Sequence, residues 1–306
     1  MTEAPRRIAI IGCGLMGAGI AQVFAAAGHR VSVHEPAEAV RETIHARIAA
    51  NLTALEQDTA SAETVAVFGD LLAAVADAEF VFEAAPEKLP LKRAIFADLV
   101  EHAPASAILA SNTSVIPITD IVQGLETAER MAGTHWWNPP YLVPLVEVVQ
   151  TMRTGPATVT ALMGLLKGVG KAPVHVKKDV PGFVANRLQH ALWREAIAIV
   201  AAGICDAETV DTCVKQSFGL RLPVLGPLEN ADLVGLDLTL DIHNVILPAI
   251  DSSPAPSPLL RALVDKGELG FKTGKGFRAW SQEDMANVRA QLTRHLKRAL
   301  SGSETA

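Results

Sequence analysis

The sequence predicts an α/β domain with a mostly parallel sheet, followed by an all-α domain. Three observations carry this prediction. Short apolar runs alternate with helical stretches as far as residue 180. A glycine-rich turn, Gly12-Cys13-Gly14-Leu15-Met16-Gly17, joins the first run to the first helix. No strand-like run returns beyond Asp179-Val180-Pro181-Gly182. The expected domains are residues 1–180 and 181–306.

Arg7 to Ile11 is the first strand, a short apolar run. Ala18 to Ala27 has helical composition, Gly28 stops it, and Val31-Ser32-Val33-His34 is the second strand. Residues 37–63 read as one or two amphipathic helices, longer and more polar than a simple crossover and expected to project from the sheet. Further strands are expected at Val65 to Phe68, Glu79 to Glu83, Ala107 to Ala110 and Met131 to Thr134, with helices Leu71 to Ala76 and Leu91 to Glu101 between some of them. Val146 to Gln150 and Val174 to Lys177 are strand candidates on either side of a helix over 157–169. Past the boundary, Phe183 to Ala201 is a long helix with apolar residues at helical spacing and Gly203 just beyond its end. Residues 206–217, 231–250, 258–266 and 281–299 also read as helices, and Asp251 to Pro258 as a loop.

Composition limits the function classes. The chain is 49% hydrophobic and 20% charged, as in ordinary soluble proteins. With 27 Lys and Arg against 33 Asp and Glu, its net charge of -6 gives no electrostatic reason for a nucleic-acid partner. The three cysteines, Cys13, Cys205 and Cys213, have no CxxC spacing, so neither a disulfide framework nor a metal site is expected. A reducing cytoplasm fits that usage. Strand-like residues begin by Ile8 with no signal-peptide pattern before them, and charged residues interrupt the alanine-rich helices before membrane-spanning length. A soluble protein with no membrane partner is expected.

In Gly12-x-Gly14-x-x-Gly17 the first glycine makes the turn, the second admits a pyrophosphate to the backbone, and the third lets helix and sheet pack closely. Leu15 and Met16 open the helix, whose N-terminal N–H groups and positive dipole end favour phosphate. The strand–turn–helix–strand context spans about thirty residues, as a dinucleotide site requires. Glu35, just after the second strand, is placed to bind the adenosine ribose hydroxyls and to repel a 2′-phosphate, which favours NAD over NADP.

The segment His135-Trp136-Trp137-Asn138-Pro139-Pro140 leads into Leu145-Val146-Glu147. A histidine at one strand end and a carboxylate in the next strand form a base with its own orienter. Hydride leaves a carbinol carbon only as the hydroxyl proton is removed, which needs a base with a pKa near neutrality. His135 is the best candidate among nine histidines, with Glu147 holding the ring in one tautomer and stabilising its charged form. The competing reading is a core histidine bonded to a carbonyl. His175 and His190 read as structural or surface residues. Ser111-Asn112-Thr113-Ser114 ends another strand, where hydroxyls either bond a substrate oxygen or cap the loop. Asn186 lies near the start of the long helix, and Glu87 and Lys92 follow a strand end, where cofactor-facing residues cluster. Trp136 and Trp137 read as packing residues or pocket walls.

Together these motifs resemble the L-3-hydroxyacyl-CoA dehydrogenase family over almost the whole chain. The resemblance rests on Gly12 to Gly17, on Ser111-Asn112-Thr113-Ser114, and on His135-x-x-Asn138-Pro139 with Leu145-Val146-Glu147. It extends through Pro181-Gly182-Phe183-x-x-Asn186-Arg187 and Gly270-Phe271-Lys272-Thr273-Gly274-x-Gly276-Phe277. It implies a Rossmann-type NAD-binding domain with a helical projection, then a helical domain that forms most of a homodimer interface. It implies reversible oxidation of the L-3-hydroxyl of a 3-hydroxyacyl-CoA, with His135 and Glu147 as the acid–base pair. Ser114 and Asn186 are then expected to position the substrate oxygen, and Glu87, Lys92, Asn138 and Lys272 to lie near the cofactor.

The chain also departs from that family's pattern. Trp136-Trp137 replaces the usual pair of phenylalanines. Pro139-Pro140-Tyr141-Leu142-Val143-Pro144 and Gly226-Pro227-Leu228-Glu229 look more like members acting on free hydroxy acids, such as the L-gulonate and L-carnitine dehydrogenases. The projecting region carries Arg41 and Arg47 but no dense lysine cluster for a CoA phosphate. The alternative substrate is therefore a free L-3-hydroxy acid, including cyclic, aromatic or quaternary-ammonium acids, with Trp136, Trp137 and Tyr141 in its pocket. A more distant alternative is a crystallin-like NAD-binding structural protein without turnover.

Overall fold

The computed structural model describes residues 4–302. Among them, eight strands form one sheet: β1 (Arg7–Ile11), β2 (Arg30–His34), β3 (Ala66–Phe68), β4 (Phe80–Glu83), β5 (Ile108–Ser111), β6 (Met131–Trp136), β7 (Leu145–Val149) and β8 (Ala172–Val176). Their order is β3-β2-β1-β4-β5-β6-β7-β8. Strands β1 to β6 are mutually parallel, β7 is antiparallel to β6, and β8 is parallel to β7. The reversal follows from chain length. Residues 137–144 joining β6 to β7 are too few for a parallel crossover, which takes about a dozen or more.

Side chains alternate across the sheet and divide the core into two layers. On one face Ile8, Ile10, Phe80, Phe82, Trp136, Val146 and Val148 pack with residues of helices Leu15–Ala26 and Pro156–Gly168. On the other, Ala9, Ile11, Val81, Leu109, Met131 and Val149 pack with residues of helices Leu89–His102 and Ile118–Ile121. Both faces being covered, the central strands are mostly apolar, and their polar residues, Glu83, Ser111, Thr134 and His135, lie towards the carboxyl ends. β1 lies between β2 and β4, so the crevice at the carboxyl ends of β1 and β4 is the switch point of the sheet, where ligands bind in such folds.

The projection expected over 37–63 forms helices Glu38–Arg41 and Ile44–Ala54 and a short turn, Ala60–Thr64. Its inner face is docked rather than free: Ile44, Ile48, Leu52 and Ala62 are fully buried in the layer that holds Ile20 and Phe24.

The chain divides into two compact units, residues 4–186 with 295–302, and residues 187–294. The second is all-helical. The single helix expected over 231–250 is two helices, Pro227–Val234 and Leu236–Ile246. Gly235 separates them at φ 102, ψ 130, a conformation that residues with a Cβ avoid. The segment after helix Pro258–Asp265 closes on itself through bridges Gly270–Lys275 and Lys275–Ala279, with the rings of Phe271 and Trp280 edge to face at 4.7 Å. No helix among the described residues is long and apolar enough to cross a membrane.

Candidate active site

His135 and Glu147 are direct cross-strand partners in the antiparallel β6–β7 pair. Such neighbours have Cβ atoms about 5 Å apart, so the register alone brings the side chains together. The His135 Nδ1–H donates to Glu147 Oε2 at 2.7 Å, and both side chains are buried. The other carboxylate oxygen, Oε1, accepts from the backbone N–H groups of Val184 (2.9 Å) and Ala185 (3.1 Å) at the start of helix Ala185–Ala201. Burial by itself would raise the Glu147 carboxyl. The hydrogen bonds from His135, Ala185 and Val184 outweigh it and hold the group below the usual carboxylate range.

The His135 ring lies near two aromatic rings, Trp137 at 5.3 Å and Phe183 at 5.6 Å between centroids. Phe183 is buried although its φ is 50°, a left-handed conformation costing an ordinary residue roughly 1–2 kcal/mol. Gly182 precedes it at φ 74°. This double left-handed turn ends the connection from β8 and places Val184 and Ala185 over Glu147.

The loop after β5 supplies the next group. Asn112 Oδ1 accepts the Trp136 N–H at 3.0 Å, tying this loop to the end of β6. Ser114 is exposed, and its carbonyl accepts from Asn186 Nδ2 at 3.0 Å. Glu87 Oε1 gathers three donors from the same loop: Thr113 Oγ1 at 2.6 Å, Ser114 N–H at 2.9 Å and Val115 N–H at 3.1 Å. Burial would raise the Glu87 carboxyl, but these bonds and the Lys92 charge hold it below its ordinary value.

Beneath this loop lies a buried ion pair. Lys92 Nζ donates to Glu83 Oε1 and Oε2 at 2.8 and 3.0 Å and to the Ala85 carbonyl at 3.3 Å, and it stands 3.4 Å from Glu87 Oε2. The side chains of Lys92 and Glu83 have 0% exposure. Ser111 Oγ donates to Glu83 Oε2 at 2.6 Å, and the Ala85 N–H to Oε1 at 2.7 Å.

The glycine loop fits a dinucleotide. A Cβ on Gly12 would come within 3.0 Å of the Ala85 backbone, and one on Gly17 would lie 1.9 Å from the Gly12 carbonyl oxygen. On Gly14 it would meet nothing within 4 Å, so that side of the turn is open for a pyrophosphate to approach. Gly14 is also the N-cap of helix Leu15–Ala26 and offers no side chain to the first-turn N–H groups of Leu15 and Met16. Glu35 accepts from the Cys13 N–H (2.9 Å) and the Ala37 N–H (3.1 Å), which holds its carboxylate at the end of β2 beside the loop. Each of its oxygens keeps a lone pair for a ribose hydroxyl. Arg47 donates to the carbonyls of Cys13 and Gly14, and Arg41 to those of Glu35 and Pro36.

Two expected pocket residues lie on the opposite face of the sheet from His135. Trp136 is not a pocket wall. β6 runs on through it, so it points to the opposite face from His135, where it is 2% exposed and packs edge to face on Phe24 and Phe82. Tyr141 lines a cavity on that same far face with Gln22 and Lys171, away from His135. The Lys171 ammonium, lowered to about 8 by burial, donates to the Pro140 and Val143 carbonyls and sits over the Trp136 ring. Asn138 is exposed on the turn after β6, where its bond to Pro139 is cis. Lys272 is exposed in the helical unit. Lys92, expected beside the cofactor, has no exposed surface. Sequence reasoning missed Glu83 and Phe183. A carboxylate ending an apolar strand, Phe80-Val81-Phe82-Glu83, was the signal for the first, and a bulky residue directly after Pro181-Gly182 for the second.

Comparisons with known proteins identify the family. The NAD-binding domain of 3-hydroxyacyl-CoA dehydrogenase matches residues 7–180, and that family's C-terminal domain matches residues 182–280. The 5-formyl-3-hydroxy-2-methylpyridine 4-carboxylate 5-dehydrogenase of Mesorhizobium japonicum is 34% identical, over 98% of this chain and 99% of its own. A solved structure of an enzyme of that name, an NAD+ dependent dismutase, superposes with a TM-score of 0.90. The L-carnitine dehydrogenase of Streptomyces griseus is 42% identical over 76% of this chain and 71% of its own. The (S)-3-hydroxybutyryl-CoA dehydrogenase of Ralstonia eutropha, 34% identical, superposes with a TM-score of 0.76 over 91% of this chain and all of its own. Homology of this extent to NAD-dependent dehydrogenases displaces the alternative of a structural protein without turnover. The chain belongs to the 3-hydroxyacyl-CoA dehydrogenase family and is an NAD-dependent oxidoreductase acting on a hydroxy-bearing substrate.

Proposed function

We propose that this enzyme oxidises the hydroxyl of a small free L-hydroxy acid rather than that of a CoA thioester. The observation that carries this reading is whole-chain likeness. The TM-score is 0.90 to an enzyme named for a pyridine carboxylate and 0.76 to one named for a CoA ester. The 42% identity to a carnitine dehydrogenase supports the same side. Arg41 and Arg47, the cations of the helical projection, have their guanidinium groups bonded to backbone carbonyls and are poorly placed to receive the phosphates of CoA. Trp137 beside His135 suits a flat or cationic substrate. The second reading, a 3-hydroxyacyl-CoA, is favoured by the family's own name and by the Ralstonia match.

In the proposed chemistry His135 Nε2 takes the hydroxyl proton of the substrate. Glu147 keeps the other ring proton on Nδ1 and stabilises the imidazolium that forms. Ser114 and Asn186, joined through the Ser114 carbonyl, hold the substrate oxygen. NAD, when bound over the glycine loop, supplies the hydride acceptor. In the reverse direction the protonated His135 returns its proton. Replacing His135 by Ala is expected to lower kcat by on the order of 10²–10⁴, the usual contribution of a positioned general base. NAD affinity and melting temperature should stay near wild type. A folded H135A enzyme with wild-type turnover would contradict the assignment.

The functional form is proposed to be a homodimer built on the helical unit. Helices Ala207–Lys215, Pro227–Val234, Leu236–Ile246 and Pro258–Asp265 contain no buried residue in the single chain. Leu228, Leu233, Leu240 and Val245 are all more than 60% exposed there. An apolar surface this extensive is unusual for a monomer and supports a partner of like chemistry.

A further inference from the structure

We propose that Arg47, carried by the helical projection, is a positioning residue for the cofactor. It fixes the glycine loop by two of its carbonyls and so makes the projection part of the NAD site. Its guanidinium donates through Nη1 to the Cys13 carbonyl at 2.8 Å and through Nη2 to the Gly14 carbonyl at 3.0 Å. These carbonyls belong to successive peptide groups, whose N–H ends are those of Gly14 and Leu15. A guanidinium is planar and presents its donors as a rigid fork, so one side chain holds two neighbouring acceptors at once. The preceding N–H, that of Cys13, is tied in turn to Glu35 Oε2 at 2.9 Å.

A loop with glycine at positions 12, 14 and 17 is free to turn its peptide groups, and freedom lost on binding weakens affinity. A Gly14–Leu15 peptide turned over would present its carbonyl oxygen, instead of its N–H, to a bound phosphate. Arg47 opposes that turn at both peptides by holding their oxygens. It also polarises them, because a carbonyl that accepts from a cation makes the N–H of the same peptide a stronger donor. The arm that carries Arg47 is itself fixed. Ile44, Ile48 and Leu52 of the same helix, Ile44–Ala54, have 0% exposure in the layer that holds Ile20 and Phe24. The His45 ring bonds the Val65 carbonyl at 2.8 Å. The guanidinium is therefore a fixed point against which the loop is set, and the docking of the projection is felt at the pyrophosphate seat.

This inference rests on the reading of the loop as the pyrophosphate seat, so Gly14→Ala is measured beside Arg47→Met and Arg47→Lys. Dissociation constants of NAD and of ADP-ribose, which keeps the pyrophosphate but lacks nicotinamide, are taken by calorimetry. Adenosine is followed as a competitive inhibitor. The kcat is taken at saturating NAD with whichever free hydroxy acid or CoA ester the wild-type enzyme turns over best. R47M is expected to weaken NAD and ADP-ribose alike by about tenfold or more, with adenosine inhibition and kcat within about threefold of wild type. R47K, which keeps a charge but not the fork, should recover only part of that affinity. Wild-type NAD affinity in R47M would overturn the proposal, and full recovery in R47K would reduce Arg47 to a charge without a positioning role. Adenosine weakened as much as NAD would mean that the projection has come loose, and the proposal fails. If R47M does not fold, R47K decides alone: a partial loss for NAD and ADP-ribose supports the proposal and none overturns it. If G14A itself is silent, the reading of the loop fails. If G14A is impaired while both Arg47 variants are silent, that reading stands and the positioning role fails.

Discussion

Glu147 does two things with one carboxylate, and the division explains why glutamine would not replace it. Oε1 caps the turn into helix Ala185–Ala201 and Oε2 orients His135. A glutamine at this position would keep its oxygen on the two N–H groups and turn its NH₂ towards Nδ1. That selects the tautomer with the proton on Nε2, which cannot act as a base. Glu147→Gln is therefore expected to lose on the order of 10²–10⁴ in kcat while remaining folded, and an E147Q enzyme with near-wild-type kcat would refute the orienting role. The same substitution has a stability signature. The folded-state carboxyl lies below its ordinary 4.5, so the stability it contributes is full above that value and is lost as pH falls through the depressed one. Acid melts should show wild type losing more stability than E147Q across that window; equal losses would mean the carboxylate is not held as described.

At the scale of elements, the glycine turn makes a prediction in two parts. Gly14→Ala adds a methyl group to open space, so the melting temperature should barely change while NAD binding weakens by about tenfold or more, since the methyl group occupies the pyrophosphate's approach. Gly17→Ala places that methyl 1.9 Å from a carbonyl oxygen and should cost about 1–3 kcal/mol of stability before any cofactor is added. Equal melting temperatures for the two variants would contradict this division of labour. The turn was legible from the sequence because its three glycines, flanking strand and acidic Glu35 all express local rules. The strands were legible for the same reason. The β6–β7 reversal and the direct pairing of His135 with Glu147 depend on which strands become neighbours, and the sequence reading reached only their adjacency in the chain. Trp136 was misplaced because its assignment depended on β6 continuing past Thr134; one residue of strand decides which face a side chain takes. Glu83 escaped notice because its partner Lys92 is nine residues away on another element, and no local pattern marks a buried ion pair. The break at Gly235 was missed because an isolated glycine is tolerated within helices, and only its φ of 102° shows that this one is not helical.

At the scale of the whole molecule, the proposed homodimer predicts a solution mass twice the 32.4 kDa of the chain at micromolar concentration. Light scattering that returned a stable monomer would leave the exposed leucines and valines of the helical unit without a partner. The substrate question also belongs to this scale, because the proposal rests on whole-chain likeness and on the bonding of Arg41 and Arg47 to backbone carbonyls. The most direct test is a set of paired initial rates of NAD reduction with L-3-hydroxybutyryl-CoA and with free L-3-hydroxy acids, gulonate and carnitine among them. The account predicts a kcat/KM at least about tenfold higher for one of the free acids, equivalent to about 1.4 kcal/mol of transition-state binding. A clear preference for the thioester would contradict it and return the enzyme to the acyl-CoA reading.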